Sequence, residues 1–187
     1  SNAIEGKTLE ENISFCEQCH GQDGISQDND IPIIAGFTAI AIKNILNDYR
    51  DDSRKAISSK FRKGDTSRPE TNMNAITKLL SDEEIQELAA YFSKLPFVAA
   101  KQKYDADKVN AGAKIHRVHC VKCHEEGGRM AEDESGILAG QWTPYLTQAI
   151  DNFRNDRRET DPKMLKRIKY LNEAEIEALL SYWASQQ

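Results

Sequence analysis

The sequence predicts an all-α protein made of two homologous domains in tandem. Apolar residues recur at helical spacing along most of the 187-residue chain. All four cysteines fall in two copies of one five-residue pattern, and the residues around the two copies repeat at a constant offset. The length alone suits either one ordinary domain or two small ones of about 90 residues each, and slightly favours two.

The composition excludes several classes of protein. Hydrophobic residues make up 39% of the chain, below the roughly 45–50% of ordinary globular domains, so each domain needs something besides side chains in its core. The longest apolar runs, such as 97–100, are far shorter than the ~18 residues that span a bilayer, which predicts no membrane span. A net charge of −5 disfavours nucleic acid and anionic membranes as partners. The start Ser1-Asn2-Ala3 is typical of an expression tag and says nothing about export.

The two cysteine motifs predict the covalent attachment of haem. They read Cys16-Glu17-Gln18-Cys19-His20 and Cys120-Val121-Lys122-Cys123-His124, which is the c-type haem attachment pattern. On a helical turn, two sulfurs three residues apart reach both vinyl groups on one porphyrin edge. The next imidazole then faces the iron. We therefore expect two haem c groups, thioethers at Cys16, Cys19, Cys120 and Cys123, and His20 and His124 as proximal iron ligands.

Three other uses of paired cysteines fit the sequence less well. A disulfide framework would need more cysteines and would not explain a histidine after each pair. A zinc site usually joins its Cys-x-x-Cys halves across ~15–20 residues, and about 100 separate them here. A thioredoxin-like redox site needs a strand before the motif, and the sequence has no such pattern.

The chain reads as an internal duplication. An offset of 104 residues aligns the two motifs, Ala35-Gly36 with Ala139-Gly140, and Asp52 with Asp156; further on, an offset of 91 aligns Met73 with Met164 and Tyr91-Phe92 with Tyr182-Trp183. The second copy is thus 13 residues shorter between its middle helix and its methionine. This predicts domains at 4–96 and 104–187, with a linker at 97–103 that follows the proline stop at Pro96.

Each domain is expected to hold a helix before its motif, a middle helix and a closing helix. The first helices are predicted at about 8–19 and 107–123. In the second middle helix, Thr143 is expected as the cap, with Pro144 in the first turn. The closing helices begin at two capping boxes, Ser81-x-x-Glu84 and Asn172-x-x-Glu175.

The sixth iron ligand separates electron carriers from catalysts. Methionine closes the iron and raises its reduction potential, whereas an empty position allows peroxide or gas chemistry. Met73 and Met164 hold equivalent places in the repeat, so we predict that they are the distal ligands. Met130 has no counterpart in the first half and follows His124 too closely.

The other histidines lie on the proximal side of the second motif. His116 and His119 precede this motif on its own helix, so we expect them on the surface or beside the proximal ligand, not on the iron. A proximal imidazole usually donates its other N–H to a carbonyl, which Pro32 is expected to supply in the first domain. In the second domain Gly136 replaces the proline, so the two haems are predicted to differ.

The motifs and methionines together resemble those of a known family. Two class I cytochrome c domains in tandem, each with Cys-x-x-Cys-His and a methionine before the last helix, resemble dihaem cytochromes of the c4 type. The second half is more specific: the stretches 111–116, 120–128 and 137–146 and the ending Tyr182-Trp183-Ala184-Ser185-Gln186-Gln187 look like the dihaem cytochrome subunit of flavocytochrome c sulfide dehydrogenases.

That resemblance implies a periplasmic electron acceptor. Its partner would be a separate FAD-containing flavoprotein that oxidises sulfide, and its electrons would pass to a soluble carrier. The chain has no G-x-G-x-x-G after a strand, so the flavin chemistry would belong to the partner, and the chain alone is not expected to be an enzyme. The alternatives are a free c4-like carrier that donates to a terminal oxidase and, with less support, a dihaem peroxidase or a thiosulfate dehydrogenase.

A cluster of cations surrounds the second predicted methionine ligand. It could form a basic rim that attracts an acidic partner. The alternative, which the sequence favours, is a solvated helical face with i, i+4 pairs. The cations in question are Arg154, Arg157, Arg158, Lys163, Lys166, Arg167 and Lys169.

Overall fold

A computed structural model describes residues 7–128 and 135–187. Met130 therefore lies outside the described residues. The chain divides into two compact units, Ser1–Phe97 and Val98–Gln187. The described residues are helical apart from loops and one isolated bridge between Ser59 and Thr71, so the all-α prediction is confirmed.

Within residues 7–97, the first unit has four α-helices: α1 (Leu9–His20), α2 (Ala39–Arg50), α3 (Met73–Thr77) and α4 (Asp82–Ser93). A capping box at Thr8 fixes the start of α1, and the predicted box at Ser81 fixes the start of α4. Helix α2 packs against α3 and α4. The apolar stripe of α4 is buried, as its spacing predicted: Ile85, Leu88, Ala89 and Phe92.

The described part of the second unit, 98–128 and 135–187, has five α-helices: α5 (Val109–His119), α6 (Glu125–Gly128), α7 (Thr143–Arg154), α8 (Pro162–Tyr170) and α9 (Glu173–Ala184). Two predictions about its helix ends are wrong. Helix α5 ends at His119, and the second motif follows as a turn instead of continuing the helix. Helix α7 starts one residue early, with Trp142 at the cap position and no side-chain cap. The capping box at Asn172 is confirmed.

Helices α5 and α9 are in close contact through Gly112. A Cβ atom added to Gly112 would lie 2.0 Å from the Ala178 carbonyl oxygen and 2.7 Å from Cβ of Tyr182. Only a glycine lets the two backbones come this close. The α5–α9 pair is the most extensive helix contact in the second unit, and it positions the second motif at the end of α5.

Equivalent residues in the two units make equivalent contacts. Arg50 pairs with Asp82 and donates to the Leu80 carbonyl, while Arg154 pairs with Glu173 and donates to the Leu171 carbonyl. Lys78–Asp52 and Lys169–Asp156 form a second matched pair of ion pairs. Asp52 and Asp156 also share a left-handed backbone, with φ of 64° and 56°. The duplication read from the sequence is thus visible in the tertiary contacts.

The 13 additional residues of the first unit lie in the stretch 53–72, which we call the extra loop. Its counterpart in the second unit is the short stretch 157–163. The backbone N–H groups of Arg62 and Lys63 both donate to the Gln18 carbonyl at 3.0 Å. The extra loop is therefore tied to the middle of the first cysteine motif.

The segment that follows the first unit packs against the second. The Ala100 N–H donates to the Gly140 carbonyl at 2.8 Å, and the Gln102 side chain bonds the Gln141 carbonyl and the Thr143 N–H. The stretch 97–103, predicted as a linker, has no helix. Most of it belongs to the second compact unit.

Candidate haem sites

His20 ends α1 with its imidazole held in one orientation. Its Nδ1 lies 2.9 Å from the Pro32 carbonyl oxygen. Because a carbonyl only accepts, Nδ1 carries the proton and Nε2 keeps a free lone pair. Burial lowers the pKa of His20, although the bond to Pro32 opposes this. The ring is therefore the neutral tautomer that binds a metal through Nε2.

His124 has the same arrangement with a longer bond. Its Nδ1 lies 3.2 Å from the Gly136 carbonyl oxygen. Burial again lowers the pKa of the imidazole. The carbonyl comes from the loop position equivalent to Pro32, 104 residues further on. The second imidazole is thus oriented by the same backbone feature, without the rigidity that proline gives to the first.

The four cysteines lie beside these histidines as free thiols. Burial raises the pKa of Cys16 to about 12, and burial also raises the pKa of Cys19. In the second unit, burial raises the pKa of Cys120 to about 11, against the opposing charge of Arg167. Such thiols stay protonated at neutral pH, so they are unsuited to nucleophilic catalysis. Cys123 differs in being exposed.

The two methionines predicted as distal ligands stand on the helices that precede the closing helices. Met73 is the first residue of α3 and follows the cap residue Asn72. Met164 lies in α8, and its sulfur accepts a hydrogen bond from the Thr160 hydroxyl at 3.3 Å. Met164 and Cys120 pack against the same buried cluster of the second unit. In that unit, the predicted distal ligand and a predicted attachment residue thus share one apolar environment.

The structure gives His116 a defined contact that the sequence left open. His116 is only 2% exposed. Trp183 Nε1 donates to its Nδ1 at 3.0 Å, so its Nε2 carries the proton and donates to the His124 carbonyl at 2.9 Å. The eight-residue spacing does not predict the bond from His116 to the His124 carbonyl, because helix α5 ends between the two residues. His119 is half-buried and stacks near Tyr170.

These residues fit haem c better than the alternatives. Each unit brings together two thiols and an imidazole with a free Nε2, as thioether attachment and axial ligation require. Across residues 7–128 and 135–187, no group of three or more His, Cys, Asp or Glu side chains could hold a metal ion by itself. In the same residues, no helix is long and apolar enough to cross a membrane.

Comparison with known proteins decides the family. The family model described as cytochrome c matches residues 3–96. A thiosulfate dehydrogenase electron acceptor of Stutzerimonas stutzeri (strain A1501) is 31% identical over 181 residues, which cover 91% of this chain and 78% of that protein. The chain belongs to the cytochrome c family.

Other relatives cover both units of this cytochrome. Cytochrome c4 of Stutzerimonas stutzeri is 28% identical over 91% of this chain and 83% of its own length. The crystal structure of reduced recombinant cytochrome c4 from Pseudomonas stutzeri matches with a TM-score of 0.76 at 24% identity, over 96% of this chain and 97% of that one. The thiosulfate dehydrogenase TsdBA of Marichromatium purpuratum matches with a TM-score of 0.72 at 23% identity, over 92% of this chain and 36% of that one.

The protein is therefore a dihaem cytochrome of the c4-like type. It carries two covalently bound haem c groups and transfers electrons, and it is not itself an enzyme. The expectation of an all-α tandem of cytochrome c domains is confirmed. The haems account for the low hydrophobic content, because each contributes a large apolar ring to the core of its domain.

Proposed function

We propose that this cytochrome accepts electrons from a dehydrogenase that oxidises an inorganic sulfur compound. It passes them to a soluble carrier or to a terminal oxidase. The observation that carries this function is the matched pair of sites, each with a metal-ready imidazole and a methionine on the helix before the last one. With Met73 and Met164 as ligands, neither iron would have an open position for substrate, which favours electron transfer.

The residue assignment follows from the same sites. Cys16 and Cys19 attach haem 1, with His20 and Met73 as its axial ligands. Cys120 and Cys123 attach haem 2, with His124 and Met164 as its axial ligands. Pro32 and Gly136 supply the carbonyls that orient the two imidazoles. When bound, each haem supplies a one-electron couple between ferric and ferrous iron. The protein fixes its ligands and surrounds it with apolar residues.

Thiosulfate dehydrogenase is the electron donor with the stronger support. A relative with 31% identity over both units is named as the electron acceptor of that enzyme. The flavoprotein sulfide dehydrogenase remains a second candidate, because residues 95–187 resemble the cytochrome subunit of that complex. The free c4-like carrier is a third candidate, supported by the 28% identical cytochrome c4.

Covalent haem attachment also bears on the compartment. The thiols must be reduced and the chain exported when the thioethers form, so we place the mature protein in the periplasm.

The test is reduction of the holoprotein by purified dehydrogenases. The oxidised cytochrome is mixed with thiosulfate dehydrogenase and thiosulfate or, separately, with flavoprotein sulfide dehydrogenase and sulfide, and the haem α band is followed. Fast reduction in the first mixture supports the thiosulfate enzyme, and in the second the flavoprotein. Each substrate without its enzyme is the control, since sulfide reduces haem directly. Slow reduction in both mixtures, with rapid oxidation by an oxidase, would favour the free carrier.

A further inference from the structure

Six exposed residues form one surface on the second unit, which we call the second-unit patch. Three are large hydrophobic residues: Tyr170 is 73% exposed, Val118 is 67% exposed and Val121 is 39% exposed. Three are cations: Lys122, Lys166 and Arg167. Exposed aliphatic and aromatic side chains next to unpaired cations are typical of a docking surface.

The patch is continuous because two segments meet at His119. His119 follows Val118 directly and precedes the turn that carries Val121 and Lys122. Its ring lies 5.7 Å from that of Tyr170, and Arg167 donates to its Nδ1 at 3.4 Å. Both segments also hold predicted ligands of haem 2: α8 carries Met164, and the turn after α5 carries Cys120 and Cys123. A protein that covers the patch would therefore lie beside the residues that would hold haem 2.

The patch is positively charged, although the chain as a whole has a net charge of −5. Helix α8 has four Lys or Arg residues and no acidic residue. Three nearby acids are already paired: Asp156 with Lys169, Asp151 with Arg157, and Glu173 with Arg154. Asp161 caps the start of α8, at the opposite end of the helix from Tyr170. The sequence favoured i, i+4 ion pairs for this helix. Lys169 instead pairs with Asp156, which lies outside the helix. Neither Lys166 nor Arg167 forms an ion pair with an acid among the residues that the structure describes.

The first unit shows what covers the equivalent surface. There Phe15, the counterpart of His119, packs edge to face on Phe61 of the extra loop at 5.7 Å. The Gln18 carbonyl, in the residue equivalent to Lys122, binds the N–H groups of Arg62 and Lys63. The first motif thus meets an aromatic ring flanked by cations from the chain itself. The second unit lacks that loop and bears cations where the first unit has Gln18 and Ala75.

We propose that the second-unit patch docks an acidic electron-transfer protein, which presents apolar side chains ringed by Asp and Glu. The contact between the first motif and the extra loop shows the shape that such an interface takes. The second-unit patch carries cations of its own, so the side chains that face it should be acidic. One electron crosses between the partner's redox centre and haem 2, so that one iron changes between ferric and ferrous while the partner changes oppositely. The proposal rests on the haem 2 ligands assigned above, and it names the surface and chemistry of the partner.

The first experiment does not depend on the identity of the partner. The holoprotein is adsorbed on a gold electrode coated with carboxylate-terminated alkanethiol, and the adsorbed amount and electron-transfer rate are measured at low ionic strength. The variant Lys166→Glu/Arg167→Glu is compared with Lys101→Glu/Lys103→Glu, which makes the same charge change at exposed positions of the segment that packs on Gly140 and Gln141. We expect about tenfold weaker adsorption for the patch variant only.

Two outcomes of this experiment would overturn the proposal. One is an equal loss in both charge variants, which would show an effect of net charge alone. The other is no loss in the patch variant. An ammonium-terminated film is the control, since the patch variant should not lose adsorption there. Haem spectra and potentials measured on the same samples separate weaker docking from a change at the iron.

The second experiment uses the dehydrogenase that reduces the wild-type cytochrome. We expect reduction by that enzyme to slow about tenfold in the Lys166→Glu/Arg167→Glu variant, and the loss to shrink as salt is added. Val118→Ser/Tyr170→Ser, which removes the apolar part without changing charge, should slow it at all salt concentrations. Rates equal to wild type in both variants would overturn the proposal. If neither dehydrogenase reduces wild type, the proposed donor is wrong, and the electrode result still decides the patch.

Discussion

The two units support their cysteine motifs in different ways. In the second unit the support is internal: His116 bridges Trp183 and the His124 carbonyl, with both ring nitrogens bonded. At the equivalent position in the first unit, Asn12 is 1% exposed and donates to Glu84 at 2.7 Å, and its Oδ1 has no hydrogen-bond partner among the described residues. The first unit instead ties its motif from outside, through the extra loop.

A duplicated domain can therefore keep its ligands while exchanging the parts that support them. The ion pairs at Arg50 and Arg154 and the carbonyls at positions 32 and 136 are common to both units. Two features differ. One is the residue that lies one turn before the motif and faces the closing helix, Asn12 in the first unit and His116 in the second. The other is the length of the loop before the methionine. These two differences leave one motif covered and the other open.

The largest expected effect is on the stability of the second unit, at the contact between α5 and α9. Gly112→Ala would put a Cβ 2.0 Å from the Ala178 carbonyl, and since backbone cannot move aside, we expect a loss of about 3 kcal/mol in the free energy of unfolding. Thr8→Ala, at the equivalent position, removes a capping box and should cost about 1 kcal/mol. Chemical denaturation followed by circular dichroism measures both. An equal cost would show that the helix contacts are alike.

The distal ligands should be independent of each other. Met73→Ala and Met164→Ala should each lower the potential of one haem by on the order of 0.1 V, because a thioether ligand stabilises ferrous iron. Met130→Ala, outside the described residues, is the control and should leave both potentials unchanged. Spectroelectrochemical titration measures them. Unchanged spectra in both ligand variants would contradict the assignment.

The same substitution at positions 12 and 116 should have different costs. His116→Leu leaves the buried Trp183 Nε1 without an acceptor, so we expect a loss of about 2 kcal/mol and a disturbed haem 2 spectrum. Asn12→Leu removes a side chain that already has one unpaired oxygen, and should cost less than about 1 kcal/mol. Denaturation and haem spectra are the measurements. A larger cost at Asn12 would reverse the comparison.

The smallest effect concerns acid stability of the extra loop. The hydrogen bond from Arg62 holds the pKa of Asp30 below its usual value. A lowered folded pKa means that the stabilisation is complete above the unfolded pKa of about 3.9 and is lost as pH falls through the folded value. The exposed pair should contribute less than about 1 kcal/mol. Asp30→Asn should flatten this acid limb, measured by denaturation between neutral pH and pH 3, and Arg62→Lys should flatten it partly. An unchanged limb in Asp30→Asn would show that another group causes it.

Much of the fold and of the candidate sites could be predicted because their signals are local. The cysteine motifs, the capping boxes at Ser81 and Asn172 and the apolar stripes of the closing helices each depend on residues a few positions apart. The end of α5 could not be predicted, because a helix through Cys123 satisfies the same periodicity as a helix that stops at His119. The His116–Trp183 contact joins residues 67 positions apart, and no local pattern indicates it.

The contacts of the extra loop also make the two motifs unequally accessible to solvent. Arg62 reaches Gln18 across 44 residues, and the Lys60 carbonyl of the same loop lies 3.9 Å from the sulfur of Cys19. Cys19 is half-buried beside this loop, whereas Cys123 is exposed. A reagent that modifies thiols in the folded chain without haem should therefore reach Cys123 before Cys19.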